Sequence, residues 1–143
     1  MAAAELDPRG PRFAAAVTAL VFVVILVLGG GAASGWLALV QTAVFAVGAA
    51  NVRRHPYALI YRHLIAPRLG PPAEREAAEP VRFAQGVGLV FAIVAAAGYL
   101  AGQPVVGVVA ASFALAAAFL NAAFGLCLGC EAYLVLRRMR AIS

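Results

Sequence analysis

The 143-residue chain is 64% hydrophobic and only 12% charged, with a mean hydropathy of +0.94. A water-soluble domain is roughly half apolar and a quarter charged, so this composition excludes a soluble globule and points to a bilayer as solvent. The net charge of +5 comes from arginines that flank apolar runs, which suits anionic lipid headgroups and excludes nucleic acid as the expected partner.

Residues 13–52 contain no Asp, Glu, Lys or Arg, and neither do residues 83–130. A crossing takes roughly 20 apolar residues, so each run is long enough for two. The segment GGGAASG (29–35) splits the first run and AGQP (101–104) the second. Helices are predicted at 13–31, 34–52, 83–100 and 105–126, the last extending toward Arg138 if nothing breaks it. The expected fold is an all-α membrane protein, a four-transmembrane-helix bundle forming one integral membrane domain over 1–143. The first apolar segment also resembles a signal peptide, with Ala32-Ala33-Ser34 as a cleavage site, but the acidic Glu5 and Asp7 before it argue against that.

The 11 basic residues are all arginine and fall in three places: before the first helix, between 53 and 82, and after 136. With four crossings these segments share one side. The positive-inside rule makes that side the cytoplasm, which places the chain in the inner (plasma) membrane as a multi-pass protein with both termini inside.

The halves resemble one another at an offset of 70. Arg12-Phe13-Ala14 matches Arg82-Phe83-Ala84, and Asn51 matches Asn121, the only two asparagines. Two repeated helical hairpins would be related by an axis along the membrane normal. Such a relation would bring the stretch after Asn51, with Arg53, Arg54 and His55, close to the stretch after Asn121.

In the central loop, YALIYRHLI (57–65) predicts a short interfacial helix, and the Pro-rich 66–80 an exposed connector. His55, just before Pro56, is expected to cap the exit of the second helix. Later, Ala110, Ala114, Ala118 and Ala122 form a ladder at four-residue spacing, continued by Gly125 and Gly129. Small residues at this spacing allow close helix contact within the bundle and offer a homodimer face.

The only cysteines, Cys127 and Cys130, stand three apart beside Glu131. On a continuous fourth helix they would lie at its C-terminal end, where the helix dipole and Glu131 both oppose a thiolate. A break at Gly125 would instead put them at a new helix start and reverse that argument. The spacing suits a redox pair, a persulfide carrier or half of a metal site, and it equally suits two small packing residues. Two cysteines alone do not complete a zinc site, so no metal is expected, and no cofactor is implied. Residues expected to support the pair are Glu131, Asn121, Asn51, Arg53, Arg54 and His55.

Taken together, DPRGPRFAA, HPYALIYRHLIAPRLGPP and NAAFGLCLGCEAYLVLRR resemble a bacterial family of small integral membrane proteins known as a domain of unknown function. The resemblance implies a genomic setting beside thioredoxin-like proteins and rhodanese-type sulfurtransferases, and so favours sulfur chemistry at Cys127 and Cys130. The leading expectation is a membrane thiol-redox or sulfur-transfer partner of such a cytoplasmic protein. The alternatives are a small channel or transporter lined by Gln41, Thr42, Asn51, Ser112 and Asn121, and a structural anchor for a cytoplasmic enzyme.

Overall fold

The computed structural model describes residues 5–70 and 76–142. Helix α1 (Arg9–Val27) follows a two-residue strand, β1 (Glu5–Leu6), and α2 (Ala32–Ala50) runs back beside it. A 3-10 turn (Val52–Arg54) leads to α3 (Pro56–Ile60), a π turn (Tyr61–Ile65) and α4 (Ala66–Leu69). Strand β2 (Glu76–Ala77) precedes α5 (Ala78–Leu100), α6 (Pro104–Phe124) and α7 (Leu128–Ile142). Residues 71–75 of the expected connector, Arg75 among them, lie outside the described residues.

Helices α1, α2, α5 and α6 are each long and apolar enough to cross a membrane. Each packs on two neighbours, so the bundle closes in the order α1, α2, α5, α6. Large apolar side chains such as Leu20, Val40, Val90 and Val105 face outward. That surface is what hydrocarbon, rather than water, would cover.

The helix limits differ from expectation by a few residues, for local reasons. Helix α1 starts at Arg9 because Asp7 organises the turn before it: the Arg9 backbone N–H donates to Asp7 Oδ1 at 3.0 Å, and the Arg9 guanidinium pairs with the same carboxylate. Burial alone would raise the Asp7 carboxyl. Hydrogen bonds from Arg9 and Tyr61 outweigh that and hold it below the usual carboxylate range. Helix α1 ends at Val27 because Gly29 and Gly30 take φ values of 88° and 84°, which no helix can continue.

The core is built from small residues around a few large ones. Phe22 and Ile25 of α1 are fully buried against Phe45 of α2, Ala92, Ala95 and Ala96 of α5, and Ala110, Ala111 and Ala114 of α6. Backbones approach closely at the uncharged end, where a Cβ on Gly98 would lie 2.6 Å from the backbone N of Gly107. The upper part of the alanine ladder, Ala110 and Ala114, therefore packs inside the bundle.

At the arginine-bearing end, contacts recur between the halves. Tyr61 donates to Asp7 at 3.0 Å, and Tyr133 donates to Glu79 at 2.8 Å, each across 54 residues. Phe13 meets Tyr61 with ring centroids 5.9 Å apart, and Phe83 meets Tyr133 at 5.7 Å. Strands β1 and β2 pair antiparallel and join the approaches to α1 and α5. The segment after α2 packs on α1, and α7 packs on α5.

Candidate functional site

The fourth long helix does not continue through the cysteines. Helix α6 stops at Phe124, and Gly125 adopts the left-handed conformation (φ 69°, ψ 14°) while its N–H caps the helix by donating to Asn121 O. A left-handed residue after the last helical turn is a common helix terminator, and glycine occupies it without a Cβ penalty. The chain then restarts: Glu131 N donates to Cys127 O at 3.0 Å, the first helical bond of α7.

Cys127 consequently occupies the N-cap position of α7, and its Sγ accepts a 3.2 Å hydrogen bond from the Cys130 backbone N–H. The two sulfurs are joined in a disulfide, with Cα atoms 5.2 Å apart. This resolves the dipole question raised by the sequence. The pair faces the positive end of a helix, where a thiolate is stabilised once the bond opens. Both residues are half-buried. Cys130 packs against Val52, Ala78 and Val81.

Above the pair lies a cavity of about 340 Å³, within the roughly 300–1,000 Å³ span of ligand pockets. It runs between α1, α5 and α6, and the turn into α7 closes its charged end. Its walls are largely small and aromatic, with Arg12, Thr18, Gln85 and Asn121 as polar members. The Arg12 guanidinium donates to Ala122 O at 3.3 Å and lies beside Gly125.

A second cavity of about 120 Å³ lies under the central loop and contains Asp7, Arg53, His55 and Tyr61; Gln85 borders both cavities. His55 is 2% exposed and does not cap the exit of α2. Its Nδ1 accepts from Tyr57 N at 3.2 Å and so caps the start of α3, while Asn51 terminates α2. With Nδ1 accepting, Nε2 carries the hydrogen of the neutral ring and faces Gln85. Burial pushes this imidazole down to about 4, and the Gln85 carboxamide offsets only part of that.

The structure thus gathers Cys127, Cys130 and Asn121 around one cavity and disperses the other expected supporters. Arg53 and His55 line the smaller cavity. Arg54 and Glu131 are exposed, and exposed Asn51 accepts from Arg53 N at 3.0 Å. His63 is exposed in the π turn and borders neither cavity. The polar set expected of a channel is not gathered either. Gln41 is buried and accepts from Tyr57 at 2.7 Å, Thr42 bonds within its own helix, and Ser112 faces outward. Arg12, Thr18 and Gln85 were not expected beside the cysteines from the sequence. Arg12 stood out there as the last charge before the first apolar run and as the repeat match of Arg82, and neither feature points to the cysteines.

A bundle with four helices long and apolar enough to cross a membrane, ending in a C-x-x-C disulfide at a helix start, defines the class. The chain belongs to the family described as a domain of unknown function, DUF4395, whose model matches residues 6–138. No curated protein and no solved structure matches it.

Proposed function

We propose that this is a membrane thiol–disulfide exchange protein acting through Cys127 and Cys130 on a soluble thioredoxin-like dithiol. The observation that carries this reading is the placement of Cys127 at the N-cap of α7, its sulfur on the Cys130 N–H. A packing pair has no need of a helix start, whereas a redox pair gains thiolate stabilisation there. The arginine distribution supports an inner-membrane location with both termini, and the pair, at the cytoplasmic side. In that reducing compartment a disulfide is a working state rather than a permanent brace.

The exchange balances as follows. A thiolate of the reduced partner attacks Cys127 Sγ, the Cys127–Cys130 bond breaks, and Cys130 leaves as a thiolate. The partner's second thiolate then attacks the mixed disulfide and releases Cys127. The partner ends oxidised, and two electrons and two protons reside on the cysteine pair. A sulfurtransferase partner would use the same nucleophile: the reduced Cys127 thiolate attacks the outer sulfur of the partner's persulfide, the partner's S–S bond breaks, and its cysteine leaves as a thiolate.

The paired contacts at the charged end also support descent of the two hairpins from one unit. Tyr61 on Asp7 and Tyr133 on Glu79 share a 72-residue offset, close to the 70 that aligns Arg12 with Arg82.

The test is trapping with purified thioredoxin as probe. Reduced Cys130→Ser is mixed with a thioredoxin whose resolving cysteine is serine and whose attacking cysteine carries thionitrobenzoate; Cys127 displaces the thionitrobenzoate and the mixed disulfide accumulates, whereas Cys127→Ser accumulates far less. Absence of exchange between the oxidised wild-type protein and reduced thioredoxin or a reduced C-x-x-C peptide overturns the reading.

A further inference from the structure

The larger cavity asks what receives electrons from the reduced pair. The chain has no third cysteine, so no second internal disulfide can relay them. From the pair the cavity reaches Thr18 on α1 and Phe113 on α6. Phe113 is eight residues before Asn121, a rise of roughly 12 Å, which carries the cavity about two-fifths of the way into a hydrocarbon layer. Phe91 and Phe113, with ring centroids 6.3 Å apart, border it, and Phe113 is 62% exposed on the outer surface. The cavity therefore reaches the side of the bundle that lipid would cover, as well as the sulfurs.

These features define the chemistry of an occupant. It must be membrane-soluble, flat enough to lie among phenyl rings and alanines, and equipped with acceptors for donor groups near the disulfide. Asn121 and Gln85 carry carboxamide donors and Arg12 a guanidinium, and Thr18 adds a hydroxyl further along the cavity. An acyl chain would fill the apolar part and offer no acceptor to the carboxamides. An inorganic anion would suit Arg12 and waste the aromatic wall.

We infer that this cavity binds the ring of a lipid-soluble quinone, which accepts the electrons of the Cys127–Cys130 dithiol. This rests on the thiol-exchange reading for the source of those electrons. The two thiols lose two electrons and two protons and an S–S bond forms. The quinone gains both electrons, and its two carbonyl oxygens each take a proton to give the quinol.

The experiment uses the full chain in nanodiscs, reduced and desalted without oxygen, and decylubiquinone, whose fully substituted ring cannot add a thiol. The expected result is reduction of one quinone per chain with loss of two thiols. The double variant Cys127→Ser/Cys130→Ser should still bind decylubiquinone without reducing it. Ala118→Phe, which fills the cavity, and Asn121→Leu, which removes a donor, should each weaken binding by roughly tenfold or more. Each is scored on a sample whose ligand-free unfolding shows a folded bundle.

The inference is overturned if the double serine variant binds no quinone, if both cavity variants bind like wild type, or if bound quinone leaves the dithiol reduced. Those failures leave thioredoxin exchange by the wild-type protein standing. Conversely, quinone reduction without thioredoxin exchange removes the proposed partner and keeps the quinone site.

Discussion

Gly129 lies directly against Ala84: a Cβ on Gly129 would fall 2.6 Å from both the Cα and the Cβ of Ala84. This contact seats the first turn of α7 on α5 and so fixes where Cys127 and Cys130 sit. One added methyl has no room without moving backbone. Gly129→Ala is expected to destabilise the protein by about 1–3 kcal/mol, the usual cost of overpacking. Gly86, on the same helix as Ala84, has open space around its Cα. Gly86→Ala should be stabilising by roughly 0.5–1 kcal/mol through helix propensity. Thermal unfolding of the two variants in one detergent checks the opposite signs.

Gly125 is constrained by conformation instead. A Cβ there would meet only Arg12, at an unstrained 3.7 Å, but its φ of 69° disfavours any L side chain. Gly125→Ala should cost about 1 kcal/mol. The more informative effect is on chemistry: a strained break shifts the N-cap geometry of Cys127. Titration in a glutathione redox buffer should show a changed disulfide fraction in Gly125→Ala and an unchanged one in Gly86→Ala.

These glycines show why the sequence conveyed the fold better than the site. Charge-free runs and their Gly/Pro punctuation gave four helices, because the cost of burying charge in lipid acts residue by residue. Gly125 and Gly129 continue the alanine ladder equally well on paper, yet one breaks the helix and the other, in the first turn of the next helix, packs on α5. That difference depends on tertiary contact with Ala84, which linear spacing does not encode. The placement of Arg12 and Arg53 was not legible for a related reason. A repeat offset says which residues correspond, but not that Arg12, from the far end of the chain, crosses to Ala122 while Arg53 turns into its own cavity.

Arg12 supplies the third prediction. Its guanidinium holds the end of α6 and shares the cavity with Cys127. A nearby positive charge favours the thiolate, and solvent screening limits the effect at a half-open site. Arg12→Gln should slow alkylation of reduced Cys127 by iodoacetamide near neutral pH by roughly two- to tenfold. Arg53→Gln should leave the rate unchanged, since Arg53 lines the other cavity. Cys130, packed on Val52, Ala78 and Val81, should react more slowly than Cys127 in every background.

His55 sets the expected response to acid. Buried beside Gln85, its imidazole is pushed from 6.5 to about 4. The unfolded chain therefore takes up this proton at higher pH than the folded one. Between about 6.5 and 4 the unfolded state binds more protons, so stability falls as pH falls through that window and is fully present above it. The whole shift corresponds to roughly 3 kcal/mol, reached near pH 4. Replacing the ring with a side chain that does not titrate removes this slope. His55→Asn keeps an acceptor for Tyr57 N and should show a lower melting temperature at pH 7.5 than wild type, with a flatter decline toward pH 4.5. Equal slopes in the two proteins would mean that the imidazole is already hydrated in the fold, and that the cavity beneath the central loop is open to water.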